Sequence, residues 1–239
     1  MSEGPLLAVS GLNAFYGAAH ILFDLAFDVQ PGEVVALMGR NGAGKSTTLK
    51  AIMGLIERKS GSISFAGEDI SHARTYEIAR LGLGYVPEDR RIFTDLTVAE
   101  NLEVGRQPIR DEGREIWTPE RIFELFPNLA EARHRLGGRL SGGEQQMLTV
   151  ARTLMGNPRL ILLDEPSEGV APIIVDAMAD MMVALKATGV AIVLSEQNLP
   201  FAEFVSDRAY IIEKGEMRFS GTMQGLSADE NLRRAYLEV

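Results

Sequence analysis

The segment Gly39-Arg40-Asn41-Gly42-Ala43-Gly44-Lys45-Ser46 combines three glycines, a lysine and a hydroxyl within eight residues. Glycines at that spacing let the backbone turn tightly enough for successive N–H groups to surround an anion. Lys45 adds a point charge suited to the β- and γ-phosphates of a nucleotide, and Ser46 a hard oxygen ligand for magnesium. The run fits the phosphate-loop pattern GxxxxGK[ST], which works mechanically only where a strand feeds a helix and the helix's first amides complete the cradle. Both flanks are present. Glu33 to Met38 reads as a buried strand, and Leu49, Ile52 and Met53 recur at helical spacing until Gly54 stops them. Gly39 to Ser46, with Thr47, are therefore candidate ATP-binding residues. Lys45 is expected to be an exposed loop lysine with little share in the core.

A second acidic site follows in Arg159-Leu-Ile-Leu-Leu-Asp164-Glu165-Pro166. An apolar strand delivers two carboxylates to its carboxyl end, where ligands gather in open α/β sheets. Asp164 is suited to hold magnesium and Glu165 to polarise an attacking water. A third segment, Leu140-Ser141-Gly142-Gly143-Glu144-Gln-Gln, opens a helix carrying Met147, Val150, Ala151 and Leu154. Ser141 and the glycines at that entrance can form a small anion nest backed by the helix dipole, although a plain serine-capped helix explains them equally well.

The elements that must carry these residues alternate between strand and helix. Phe23, Leu25, Phe27 and Val29 alternate with polar or small residues and predict a half-buried strand ending at Pro31-Gly32. Leu160 to Leu163 and Val190 to Leu194 predict buried strands, with a helix from Pro172 to Gly189 between them. Tyr210 to Ser220 predicts a hairpin turning at Lys214-Gly215. The stretch from about 96 to 155 is strand-poor, with helix starts at Thr97…Glu100 and Thr118-Pro119. It reads as a helical sub-lobe with the Ser141 segment, inserted into an α/β lobe made of about 1–95 and 156–239.

Bulk composition narrows the functions. With 24 basic and 33 acidic residues the formal charge is −9, which argues against a nucleic-acid partner. There is no cysteine, and His20, His72 and His134 are too scattered for a histidine metal site. The amino terminus does not read as an export signal, and no apolar run approaches the roughly 20 residues that span a bilayer. A membrane role would be exercised through partners.

Leu140 to Gln146, lying between the phosphate loop and the acidic strand, resembles the signature motif of ABC ATPases, and the resemblance runs from Tyr16 to the terminal helix. It implies a P-loop NTPase fold of the ABC type: α/β, with a mixed sheet core, an N-terminal antiparallel β portion and the helical sub-lobe. It further implies a head-to-tail dimer in which ATP is held by one subunit's Lys45 loop and by Leu140, Ser141, Gly142, Gly143 and Glu144 of the other. Tyr16 falls where the family stacks an aromatic ring on adenine. Three positions depart from the family pattern: Glu88 replaces the usual glutamine, Gln197 the usual histidine, and Ala171 the usual aspartate. A carboxylate at 88 remains a magnesium ligand, so Ser46, Glu88 and Asp164 form the expected metal set, with Glu165 and Gln197 as the expected catalytic residues.

Tyr-Val-Pro-Glu88, Gly-Val-Ala-Pro-Ile-Ile-Val and Ser-Glu-Gln197-Asn are similar to the LivF-type ATPases of branched-chain amino-acid importers. That likeness implies a second ATPase subunit, membrane permeases, a substrate-binding protein, and a peripheral place on the cytoplasmic face of the inner membrane. The alternatives are a urea or amide importer, a lipid exporter, and a cassette that binds ATP with little hydrolysis. Trp117 is expected to pack at a helix entrance and Met178, Met181 and Met182 to lie in the core. Asp89-Arg90-Arg91 reads either as a partner contact or as a solvated charge cluster.

Overall fold

The computed structural model describes residues 4–107 and 116–237. Strands β1 (Leu7–Tyr16) and β2 (Ala19–Val29) form a hairpin, and β3 (Val34–Met38) leads through the glycine-rich loop into α1 (Lys45–Ile52). Then come β4 (Arg58–Phe65), β5 (Glu68–Asp69), α2 (Thr75–Arg80) and β6 (Leu83–Val86). Helices α3 (Val98–Gly105), α4 (Pro119–Leu125), α5 (Pro127–Glu131) and α6 (Gly142–Leu154) follow, before β7 (Leu160–Asp164), α7 (Pro172–Ala187) and β8 (Ala191–Glu196). The remainder is α8 (Leu199–Val205), β9 (Arg208–Glu213), β10 (Glu216–Thr222), α9 (Met223–Ala228) and α10 (Glu230–Tyr236).

Two sheets result. An antiparallel sheet has the order β2-β1-β4-β5, and a six-stranded mixed sheet runs β10-β9-β3-β8-β7-β6, parallel except for β10. The mixed sheet is covered on both faces, which is why β3 and β7 are apolar without interruption. Val35, Leu37, Leu160, Leu162 and Val193 face α1 and the antiparallel sheet. Val34, Ala36, Met38, Ile161, Leu163 and Leu194 face a second core that includes residues of α6, α7 and α8. Burying each such leucine is worth about 2 kcal/mol.

The expected alternation in β2 fails at Phe23, which is 39% exposed while Leu22 is buried. The β1–β2 register shifts between Leu12↔Leu25 and Ala14↔Leu22, and Asp24 takes φ +52. That bulge places one extra residue on β2 and turns Phe23 outward. From Thr97 to Leu154 the described residues hold only helices and one isolated bridge, Thr97↔Leu136. Thr97 caps α3 with Glu100 answering it, and Thr118 caps α4 ahead of Pro119. Trp117 is buried beneath the Arg121 guanidinium, and Met178, Met181 and Met182 lie in the core.

Candidate functional site

The site assembles at the carboxyl ends of β3, β7 and β8, which the sheet order makes neighbours. The loop leaving β3 begins at Gly39, where φ is +150 and a Cβ would stand 2.3 Å from the Ile212 carbonyl oxygen, so only glycine fits. The loop's last residues enter α1, whose helix starts at Lys45. Asn41 and Gly42 are exposed, while Ser46 and Thr47 are half-buried at the helix entrance. Lys45 itself differs from expectation. It is 3% exposed, and its Nζ donates to the carbonyls of Gly39 (2.8 Å) and Arg40 (3.2 Å). Folding the loop back over its own lysine buries the ammonium, and Glu165 Oε1 at 3.0 Å neutralises it.

Asp164 ends β7 with both carboxylate oxygens held. The Ser195 hydroxyl donates to Oδ1 at 2.8 Å and the Tyr85 phenol to Oδ2 at 3.0 Å. Burial, then the Asp164 charge, pushes the Tyr85 phenol far above its ordinary range, so it remains a proton donor. Glu165 sits at φ +46, and its N–H donates to both the carbonyl (3.1 Å) and the hydroxyl (3.0 Å) of Ser195. This backbone conformation is costly for a residue with a Cβ, and strain of this kind concentrates at functional sites. Burial pushes the Glu165 carboxyl up, but hydrogen bonds from Glu168, Lys45 and Gln197 outweigh it and hold the group below its usual range. Glu168, hydrogen-bonded to Glu165, partly desolvated and near the Glu165, Glu88 and Glu196 charges, is raised to about 7.

Gln197 closes the circuit. Its Nε2 donates to Glu165 Oε2 at 3.1 Å and to Asn41 Oδ1 at 2.7 Å, joining the acidic strand to the glycine-rich loop. The structure thus brings Asn41, Lys45, Glu165 and Gln197 together, with Asp164 one residue away. This hydrogen-bonded circuit does not include the other expected members. Tyr16 is half-exposed at the tip of β1, and Glu88 is exposed beyond β6. Ser141 caps α6: its Oγ accepts from the Glu144 N–H at 3.3 Å, and Glu144 Oε2 accepts from the Ser141 N–H at 2.7 Å. Leu140 is buried just before this cap. A Cβ on Gly142 would lie 2.7 Å from Arg90 Nη1, and one on Gly143 2.7 Å from Ile174 Cγ1. The mouth of this nest therefore has a guanidinium on one side and an apolar wall on the other.

Sequence reasoning missed Ser195, Tyr85, Glu168 and Glu196. Ser195 stands opposite Asp164 in the parallel β7–β8 register, a pairing that neither strand's own sequence announces. Ser46, Asp164 and Glu88 are all hard oxygen donors of the kind magnesium takes, and the Ser195 and Tyr85 bonds hold the Asp164 carboxylate in a fixed orientation. Among the described residues no group of three or more His, Cys, Asp or Glu could hold a metal ion. No helix among the described residues is long and apolar enough to cross a membrane.

The ABC transporter family matches residues 22–168. The high-affinity branched-chain amino acid transport ATP-binding protein BraG of Pseudomonas aeruginosa is 40% identical over 97% of this chain and 99% of its own length. The lipopolysaccharide export system ATP-binding protein LptB of Haemophilus influenzae is 36% identical over 97% of both chains. A probable branched-chain amino acid transport ATP-binding protein, LivF of Archaeoglobus fulgidus, is 34% identical over 98% of this chain and 99% of its own. A solved ATP-binding subunit of an ABC transporter superposes with a TM-score of 0.80 at 32% identity, covering 97% of this chain and 96% of that one.

Proposed function

The chain belongs to the ABC transporter family, and from that premise we propose that it is the ATPase subunit of an importer for branched-chain or related amino acids. As a family member it binds and hydrolyses ATP and works with membrane permease components. The observation that carries the site reading is the circuit from Asn41 through Gln197 to Glu165 and Lys45, which links the phosphate loop to the acidic strand.

In this reading Gly39 to Thr47 cradle the phosphates and Tyr16 stacks on adenine. Lys45 leaves Glu165 for the β- and γ-phosphates when ATP arrives. That transfer frees the Glu165 carboxylate to take a proton from the attacking water, and Gln197 orients it. Ser46, Asp164 and Glu88 would hold magnesium, which supplies charge neutralisation at the phosphates. Leu140, Ser141, Gly142, Gly143 and Glu144 serve the ATP of a second ATPase subunit, and residues of about 96–155 form the sub-lobe that presents them. The partners are that subunit, two permeases and, through them, a substrate-binding protein, with this chain on the cytoplasmic face of the membrane.

Two features favour an amino-acid importer over a lipid exporter: the identity to BraG, and the pairing of Glu88 with Gln197 where the commoner family pattern has glutamine and histidine. Reconstitution with its permeases and binding protein tests this. Leucine should stimulate both ATP hydrolysis and its own uptake. Stimulation by urea or by a lipopolysaccharide, with none by leucine, overturns the substrate assignment.

A further inference from the structure

Glu196 is a carboxylate that the proposed chemistry does not use, yet it is 2% exposed at the end of β8. Burial pushes its carboxyl above the ordinary range. Keeping an acid there is costly unless its oxygens are occupied, and they are. Oε1 accepts from the Ser167 N–H at 3.0 Å, while Oε2 accepts from the N–H groups of Gln197 (3.1 Å) and Asn198 (3.2 Å). The two oxygens therefore reach different loops. One loop follows β7 and carries Glu165 to Ala171; the other follows β8 and carries Gln197.

We propose that Glu196 is a positioning residue that ties these two loops together, so that Glu165 and Gln197 hold their mutual geometry when Lys45 is withdrawn. The need arises from the circuit itself. Lys45 and Gln197 both grip Glu165. Once Lys45 turns to phosphate, the Glu165 carboxylate keeps a single hydrogen bond from the Gln197 side chain, which by itself leaves the carboxylate free to swing. The Glu196 tie runs through backbone amides and does not involve Lys45, so it survives that exchange. A carboxylate suits the task because its paired acceptors span two backbones; a hydroxyl could reach only one of them. The inference rests on Glu165 and Gln197 flanking the attacking water.

The test compares the full chain with Glu196→Gln, which keeps shape but turns one acceptor into a donor, and with Glu196→Asp, which keeps charge but is one methylene too short to span both loops. Hydrogen exchange of the Ser167, Gln197 and Asn198 amides reads the tie directly. Exchange should accelerate about tenfold or more on at least one of the two loops in each variant. In the assembled transporter kcat should fall about tenfold, with ATP affinity within about twofold of wild type. The double variant Glu196→Gln with Gln197→Ala should be no slower than the slower single one, because both changes act on one unit. Unchanged exchange, a kcat within about twofold of wild type, affinity lost in step with kcat, or losses that multiply in the double variant would each overturn the proposal. Failure of the Glu165 assignment shows separately, as wild-type turnover by Glu165→Gln while the exchange result stands.

Discussion

The ammonium of Lys45 lies 3.0 Å from the carboxylate of Glu165, so the residue proposed to grip phosphate and the residue proposed to activate water neutralise each other. Both are buried, at 3% and 8% exposure. In the proposed reading ATP competes with Glu165 for the lysine.

Lys45→Ala should abolish most Mg-ATP affinity, measured by titration calorimetry. It should also cost stability, on the order of 3 kcal/mol by analogy with other broken buried pairs, because Glu165 is left buried and charged. Adding Glu165→Gln should recover part of that loss in chemical denaturation. A single Lys45→Ala variant as stable as wild type would show that the pair contributes nothing.

Glu165→Gln should retain ATP binding and lose about a hundredfold or more in turnover, as expected for a missing general base. It should accumulate as an ATP-bound dimer on size exclusion. A variant retaining more than about half of wild-type turnover in the complex would assign the water to another group.

Unequal roles are expected for the two ends of this chain's chemistry. In the proposed reading Gln197 serves the site built on its own Lys45, whereas Ser141 serves the nucleotide of a second ATPase subunit. Ser141→Arg fills the nest and removes a cap worth about 1 kcal/mol. Gln197→Ala removes a neutral hydrogen bond to Asn41, worth about 0.5–1.5 kcal/mol, and one to the Glu165 carboxylate, worth about 1.5–3 kcal/mol. In the assembled transporter Ser141→Arg should depress ATPase and uptake more than Gln197→Ala. The reverse order would sink this division of labour.

Glu168 gives a pH signature. Its carboxyl is raised from 4.5 to about 7, chiefly by the hydrogen bond to Glu165, so between those values the folded chain keeps a proton that the unfolded chain releases. Its contribution is full below the unfolded value and is lost as pH rises through about 7. Glu165, held below its usual range, works oppositely and loses its contribution on acidification. Glu168→Gln should therefore flatten the decline of Tm between about pH 5 and 7.5, and an unchanged slope would remove Glu168 from the account.

The parts of the site set by short-range rules were legible in the sequence. Glycine spacing marked the phosphate loop, an apolar run with two acids marked the end of β7, and Thr97…Glu100 and Ser141…Glu144 marked helix starts by their capping chemistry. What escaped depends on which strand lies beside which. The Ser195 hydroxyl matters because β8 pairs with β7 in parallel, and Tyr85 because β6 flanks the other side. The burial of Lys45 follows from the loop curling over its own side chain, and Phe23 is turned outward by a bulge at Asp24. No local pattern encodes either.

The turn between β9 and β10 joins two parts of the fold that the sequence keeps far apart. Gly215 receives its N–H partner from the loop, donating to the Ala43 carbonyl at 2.8 Å, while its own carbonyl accepts from the Phe23 N–H of β2 at 2.8 Å. With φ +80, and with the Ile21 carbonyl oxygen only 1.9 Å from where a Cβ would stand, no other residue can occupy the position without moving one of its neighbours. One residue thus rivets the antiparallel sheet, whose β1 tip carries Tyr16, to the loop that carries Lys45. In the proposed reading, with Tyr16 against the base and Lys45 on the phosphates, that rivet keeps the span between the two constant.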